Sequence, residues 1–194
     1  MSLSKSLKRT AFFLLSDYLQ AIYLNPIRTK ALTSCVIAAL GNVSSQCASG
    51  NKKIDWNSVK AFGLFGLIFG GTVPHFFFIL LEKLVGNASK NPVIIKLAIE
   101  RLLYAPFYQF LSLYMLARFE GKEHVEAYKQ MSKLYWGVLK TNWTYLTTFT
   151  LLNLWLVPPM LRVLVVNCIG FFWSIYLATA RRKQELTKKG SSTD

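Results

Sequence analysis

Acid is scarce in this chain. Nine Asp and Glu stand against 23 Lys and Arg over 194 residues, a formal charge of +14. A nucleic-acid partner is one reading of such an imbalance. Here, however, the basic residues punctuate apolar segments and crowd both termini, which suits anchoring beside anionic lipid and leaves no nucleic acid expected. Histidine occurs twice, as His75 in an apolar run and His124 in a charged one. Neither belongs to an HExxH pattern or a His/Cys cluster, and His75 is read as a packed, hydrogen-bonded residue. The three cysteines, Cys35, Cys47 and Cys168, are far apart with no CxxC. That excludes a disulfide framework or a zinc site from the pattern, and each is expected to pack as a small buried apolar residue. No nucleophile–base set and no Gly-rich phosphate loop occurs, so neither an enzyme nor a cofactor is expected.

What the chain has in quantity is apolar sequence: 53% hydrophobic residues and a mean hydropathy of +0.32. Its runs are longer than a soluble core of this size needs, and they point to a bilayer as solvent. Length suggests one domain. The pattern predicts an all-α membrane protein with four transmembrane helices plus amphipathic interfacial helices.

Taken in order, residues 1–28 form a basic amphipathic entry in which Lys5, Lys8 and Arg9 precede Phe12, Phe13, Leu14 and Leu15. The segment suits the plane of the membrane interface, and its early lack of acid leaves a mitochondrial presequence open. No secretory signal and no C-terminal peroxisomal matrix signal is read, and the three glycosylation sequons are taken as coincidental. Residues 29–180 form the transmembrane bundle. The first span, 29–46, opens after Pro26 and carries Asn42, Ser44, Ser45 and Gln46, polar groups that must face other helices or water. The second, 61–81, holds Gly66 and Gly70, spaced four apart for close helix packing, and Pro74 is expected to kink it. The third, 93–119, contains Lys96, Glu100 and Arg101; Lys96 and Glu100 share a face and can pair, whereas Glu100 and Arg101 point apart.

Residues 121–140 read as an amphipathic interfacial helix. Residues 142–156 are short for a span and read as interfacial or re-entrant, while 160–180 is long enough to cross. A basic polar tail, 181–194, closes the chain. With both termini and 82–96 on one side, that side carries thirteen basic residues against eight on the other, which places the termini in the cytosol. The rival layout counts 142–156 as a fifth crossing.

Ionisable groups at membrane depth are expensive unless paired or hydrated, so Glu100 and Arg101 are candidates for lining an aqueous path, with a structural ion pair as the equal alternative. Asn42 and Gln46 join them as pore-lining candidates. Asn42, Gln46, Asn153 and Asn167 can also hydrogen-bond across helices, and Arg162 can snorkel to headgroups. Trp136, Trp143, Trp155 and Trp173 suit interfacial belts or packing.

The stretch Asn142-Trp143, Asn153, Val157-Pro158, Arg162-Val163, Asn167, Phe172-Trp173, Tyr176-Leu177 resembles the terminal pattern of the peroxisomal membrane protein 2 and Mpv-type proteins of peroxisomes and mitochondria. Pro26, Thr29-Lys30-Ala31, Gly41, Gln46, Asp55, Gly71 with His75, and Pro106 follow the family in order, and Glu120-Gly121-Lys122 resembles its peroxisomal branch. The chain departs from the family at Leu146-Thr147, where Trp-Pro is usual, and at Asn42, where Asp is frequent. The resemblance implies a four-span helical protein of the peroxisomal membrane with cytosolic termini. It also implies a homo-oligomeric pore that passes small hydrophilic solutes without energy input. Expected partners are membrane lipids, further copies of the chain and the peroxisomal membrane-protein import machinery. The alternatives are a related channel of the mitochondrial inner membrane, or a non-conducting structural or assembly protein whose Gly66/Gly70 and Phe76 to Phe78 faces bind other membrane proteins.

Overall fold

Helix is what this sequence must form if it sits in lipid, because a helix satisfies its backbone groups within the segment. The computed structural model describes residues 2–50, 53–85, 92–157 and 159–190, with the backbone alone for 2–8, 11, 93, 153–155, 159–164 and 188–190. The described residues are helical and contain no strand: α1 Ser2–Leu24, α2 Pro26–Ala48, α3 Trp56–Phe65, α4 Thr72–Val85, α5 Pro92–Ile99, α6 Ala105–Phe119, α7 His124–Thr141, α8 Thr147–Leu156 and α9 Pro159–Gly190. Three π turns, at Gly66–Gly70, Glu100–Tyr104 and Asn142–Leu146, join α3 to α4, α5 to α6 and α7 to α8. The chain from Pro26 onward therefore forms long rods over 26–48, 56–85, 92–119, 124–156 and 159–190.

Local chemistry sets several of these ends. Pro26 occupies the first turn of α2, where its missing N–H costs nothing. Asp55 caps α3, its Oδ1 accepting from the Asn57 and Ser58 amides at 3.0 and 3.3 Å. Gly121 closes α6 at φ +87°, with Lys122 N–H donating to Ala117 O at 3.1 Å, a turn that favours glycine. Pro106 removes a helical donor and crowds the preceding turn. The helix widens there, and Ala105 N–H reaches Glu100 O five residues back. The α-helical pattern changes before the position of the kink expected at Pro74: the π turn ends at Gly70 and Pro74 sits in the first turn of α4.

The rods alternate in direction. α2 runs antiparallel to 56–85 and parallel to α9, as successive contacts Ile37–Gly170, Gly41–Ser174 and Ser45–Thr179 show. The 124–156 rod runs antiparallel to 92–119, tied at Tyr114–His124, Tyr135–Pro106 and Asn142–Arg101. This corrects three expectations. Residues 121–140 do not form a separate helix lying across the interface; α7 packs along α6 and continues into 142–156. Residues 142–156 are the end of a rod rather than a detached re-entrant piece. Nor does the bundle stop at 180, because α9 continues to Gly190 and Arg181 is only 3% exposed. Two helices, Pro26–Ala48 and Trp56–Val85, are long and apolar enough to cross a membrane. Four such helices are not found among the described residues.

Glycines let the rods approach. A Cβ on Gly41 would stand 2.5 Å from Ser174 Cβ, one on Gly70 would stand 2.9 Å from Ser34 Cβ, and one on Gly66 would overlap the Ser34 carbonyl. Gly66 and Gly70 thus seat α2 of the same chain. Gly66→Ala is expected to lower stability by about 1–3 kcal/mol, since backbone cannot yield as a side chain can. Gly137, with open space around its Cβ position, should tolerate alanine and gain about 0.5–1 kcal/mol. Denaturant titration in detergent micelles compares the two; equal behaviour would refute the packing argument.

The surface is inverted relative to a soluble protein. Asn42, Ser45, Gln46, Gln109, Ser112 and Arg181 are buried, while Leu32, Val36 and Leu40 on α2, Leu67 and Ile68 beyond α3, and Phe107 and Phe110 on α6 are exposed. The cysteines follow the same rule in reverse of expectation: Cys35 is half-buried, and Cys47 and Cys168 are exposed. In lipid an exposed thiol costs little, so burial is not forced on it.

Candidate functional site

Two polar clusters stand out, one inside the bundle and one at its end. The inner cluster joins two π turns. Arg101 Nη1 donates to Asn142 Oδ1 at 3.2 Å and Nη2 to Thr150 Oγ1 at 3.1 Å. Its Nε approaches Glu100 Oε2 to 2.8 Å, an ion-pair contact without hydrogen-bond alignment. Trp143 Nε1 donates to Arg101 O at 2.9 Å. Glu100 and Arg101, expected to diverge, face each other because the wider π turn between Glu100 and Tyr104 redirects them. Lys96, expected to pair with Glu100, instead meets Glu82 at 2.5 Å. An aromatic ladder backs the cluster: Phe77 stacks on Tyr104 at 4.1 Å, Tyr104 on Tyr108 at 5.3 Å, and Phe65 lies 6.0 Å from Tyr108. The sequence candidates Glu100, Arg101 and Trp143 are therefore brought together. Asn142 and Thr150 complete the set, and Thr150 carried no signal in the sequence.

The end cluster begins in α2. Gln46 clamps Asp55 from both sides, its Oε1 accepting from Asp55 N at 2.7 Å and its Nε2 donating to Asp55 O at 3.0 Å. The same Nε2 donates to Asn42 Oδ1 at 2.7 Å, and Asn42 Nδ2 donates to Ser58 Oγ at 3.0 Å. Ser58 Oγ donates to Glu120 Oε1 at 3.0 Å. The other Glu120 oxygen receives Arg181, whose Nη1 also donates to Leu113 O at 3.0 Å. Lys122 bridges Glu185 and Gln130, the latter at 2.9 Å, and Gln130 Nε2 returns to Glu185 at 3.1 Å. One network thus ties the α2–α3 loop, the α6–α7 turn and the last third of α9. Asp55, Asn57, Glu120, Lys122, Arg181 and Glu185 line a cavity of about 190 Å³ there, room for several waters.

This network places Asp55, Ser58 and Glu120 at the same end as Arg181 and Glu185. The expected four-crossing layout put 48–60 and 121–140 on the opposite side from the tail, and an ion pair cannot span a bilayer. Asn42 and Gln46, pore-lining candidates from sequence, are fully enclosed in side-chain hydrogen bonds. Arg181 and Glu185 are not sequence candidates, since a basic run after an apolar helix reads as a solvated tail. Glu120, Lys122 and Asp55 enter through family resemblance.

Of the remaining candidates, Asn167 Nδ2 donates to the Tyr18 hydroxyl at 3.0 Å, tying α9 to α1. Trp173 leans on Tyr176 at 5.1 Å beside the core. Pro158 and the side chains of Asn153 and Arg162 lie outside the described residues. Among the described residues no group of three His, Cys, Asp or Glu is placed to hold a metal.

Comparison with known proteins gives a consistent answer. The sequence profile of the Mpv17 / PMP22 family matches residues 117–178. Peroxisomal membrane protein 2 of Bos taurus is 33% identical over 174 residues, covering 85% of this chain and 88% of the relative. Peroxisomal membrane protein PMP22 of Arabidopsis thaliana is 30% identical, covering 89% and 92%. The mitochondrial inner membrane protein Mpv17 of Caenorhabditis briggsae is 22% identical, covering 79% and 84%. No solved structure matches.

Proposed function

Because the chain belongs to the Mpv17/PMP22 family of membrane proteins, we propose that it is a passive pore of the peroxisomal membrane, open to small hydrophilic solutes and assembled from several copies of itself. The observation that carries this reading is the outer surface: Leu and Phe stand exposed along helices that also bury Asn42, Gln46, Gln109 and Arg181 within an otherwise apolar core. A protein folded this way is built for lipid around it and holds the means to place polar groups at depth. The higher identity to relatives named for the peroxisomal membrane than to the mitochondrial inner membrane one favours the peroxisome.

The interior hydrogen bonds are already spoken for. Asn42, Gln46, Glu120 and Arg181 are joined in one hydrogen-bonded network through Ser58, and among the described residues this leaves no polar path through one copy. The route therefore lies between copies, which makes homo-oligomerisation part of the function. The parallel course of α2 and α9, and the shared end of Asp55, Glu120 and Arg181, favour five crossings from α2 onward over four. The Arg- and Lys-rich end of α9 then faces the cytosol. Lipids surround the bundle, the peroxisomal membrane-protein import machinery delivers it, and it performs no covalent chemistry.

The test is a size-graded flux assay in proteoliposomes. Small polar solutes should equilibrate and larger ones should be retained, giving both conduction and pore width. Well-folded protein that leaks no solute would overturn the reading. Co-purification of a stoichiometric partner together with that silence would favour the assembly role, although the Gly66/Gly70 face that motivates it is occupied by α2 within the chain.

A further inference from the structure

The outer face of the 124–156 rod is wrong for lipid. Lys129, Ser132, Lys133, Gly137, Lys140, Thr144 and Thr148 are all exposed and recur at steps of one to four residues, with the Trp136 indole beside them. From Lys129 to Thr148 the rise is about 28 Å, close to the ~30 Å of a bilayer core. Lys129, Lys133 and Lys140 have no ion pair among the described residues, and the sequence holds no carboxylate between Glu126 and Glu185.

Depth is fixed by the neighbours. The Tyr135 hydroxyl donates to Pro106 O at 3.4 Å, and Asn142 accepts from Arg101. Tyr108, beside Pro106, lies 6.0 Å from Phe65 within the apolar helix Trp56–Val85. Lys133 and Lys140 thus bracket the level at which α6 and the turn before it expose Leu102, Leu103 and Phe107. At one depth, one rod shows leucine and phenylalanine and its partner shows Lys133, Gly137 and Lys140 beside the Trp136 indole. The first face suits acyl chains. The second requires water, since Lys140, about 16 Å of rise beyond Lys129, is too far from either headgroup layer to snorkel. The Thr144 and Thr148 hydroxyls donate to carbonyls one turn back at 2.9 and 2.8 Å, which leaves their lone pairs for solvent.

We propose that this stripe is the water-facing wall of the conduit between copies, and that Lys129, Lys133 and Lys140 raise the share of flux carried by small organic and inorganic anions. The inference rests on the pore reading and assigns its lining. The selectivity contribution is electrostatic, from three cations without an ion pair among the described residues, on a wall that holds no carboxylate beyond Glu126.

The experiment uses the full-length protein in planar bilayers under a potassium chloride gradient, with Lys133→Glu/Lys140→Glu compared to wild type. The potassium-to-chloride permeability ratio should rise several-fold with channel activity retained. In parallel, Cys35, Cys47 and Cys168 are replaced by serine and a single cysteine is placed at Lys133, Lys140 or Leu103. A charged, membrane-impermeant thiol reagent applied to proteoliposomes should modify the first two and spare the third. Currents with an unchanged ratio, or positions 133 and 140 as unreactive as 103, would overturn the stripe while leaving the pore. Wild-type protein without current would instead remove the pore and the selectivity role together. Protection of 133 and 140 by a bound acidic protein would replace the water-facing wall with a docking face.

Discussion

Arg181→Ala is expected to destabilise the protein by about 3–5 kcal/mol, the usual cost of breaking a buried ion pair from one side. Its guanidinium is 3% exposed, meets Glu120 and donates to the Leu113 carbonyl. Removing it leaves Glu120 ionised and half-partnered in the cluster and leaves a carbonyl of α6 without its donor. The expectation separates from a simple loss of charge in two ways. Arg181→Lys should recover little, because one ammonium cannot reproduce a planar fork that reaches a carboxylate and a backbone oxygen at once. The pair Arg181→Met with Glu120→Leu should be far milder than Arg181→Ala, since no uncompensated charge remains. Denaturant titration in micelles measures all three. A single-variant loss under about 1 kcal/mol would mean the end cluster is solvated and does not hold α9 to α6.

That Arg181 matters at all is not legible in the sequence. An arginine followed by Arg182 and Lys183 after an apolar helix has the look of a membrane-flanking tail. Only the fold reveals that Glu120, far off in sequence, sits opposite. The same limit applies to Asn42 and Gln46. Their polarity in an apolar helix says correctly that they must meet partners, but polarity does not distinguish a hydrogen bond to Ser58 and Asp55 from a bond to passing solute. Elements that depend on local chemistry read well: the start of α2 at Pro26, the glycine approach at Gly66 and Gly70, the amphipathic period of α7. Elements that depend on one rod choosing a neighbour do not. Periodicity gives α7 a polar face and an apolar face. An interfacial helix and a helix packed upright against α6 present the same pattern, and the Tyr135–Pro106 and Arg101–Asn142 bonds decide between them. The π turns are a third case. Pro106 has no amide proton to give the helix, yet the redirection of Glu100 toward Arg101 follows from how the preceding turn absorbs that loss.

Arg101 decides between the two roles that its sequence context leaves balanced, solute-facing charge and structural pair. With four polar contacts converging on it from two π turns and α8, Arg101→Gln is expected to cost about 3–5 kcal/mol, because Glu100 stays behind at membrane depth. Glu100→Gln/Arg101→Gln should restore most of that, as two neutral amides can still meet Asn142 and Thr150. Trp143→Phe, which removes one hydrogen bond to the Arg101 carbonyl, should cost about 0.5–1.5 kcal/mol. The informative reading is the double variant in the flux assay. A lock that only positions the two rods leaves solute size cutoff and ion preference as in wild type once stability is restored. A charge pair facing the conduit changes the preference even in well-folded double-variant protein, and that result would move the lining from the Lys129 to Thr148 stripe to the seam between α5–α6 and α7–α8. The geometry favours the lock: both side chains are mostly covered, and each guanidinium arm of Arg101 is already engaged by protein. In the proposed pore, the conduit wall is then left to the Lys129 to Thr148 face, whose lysines have no ion pair among the described residues.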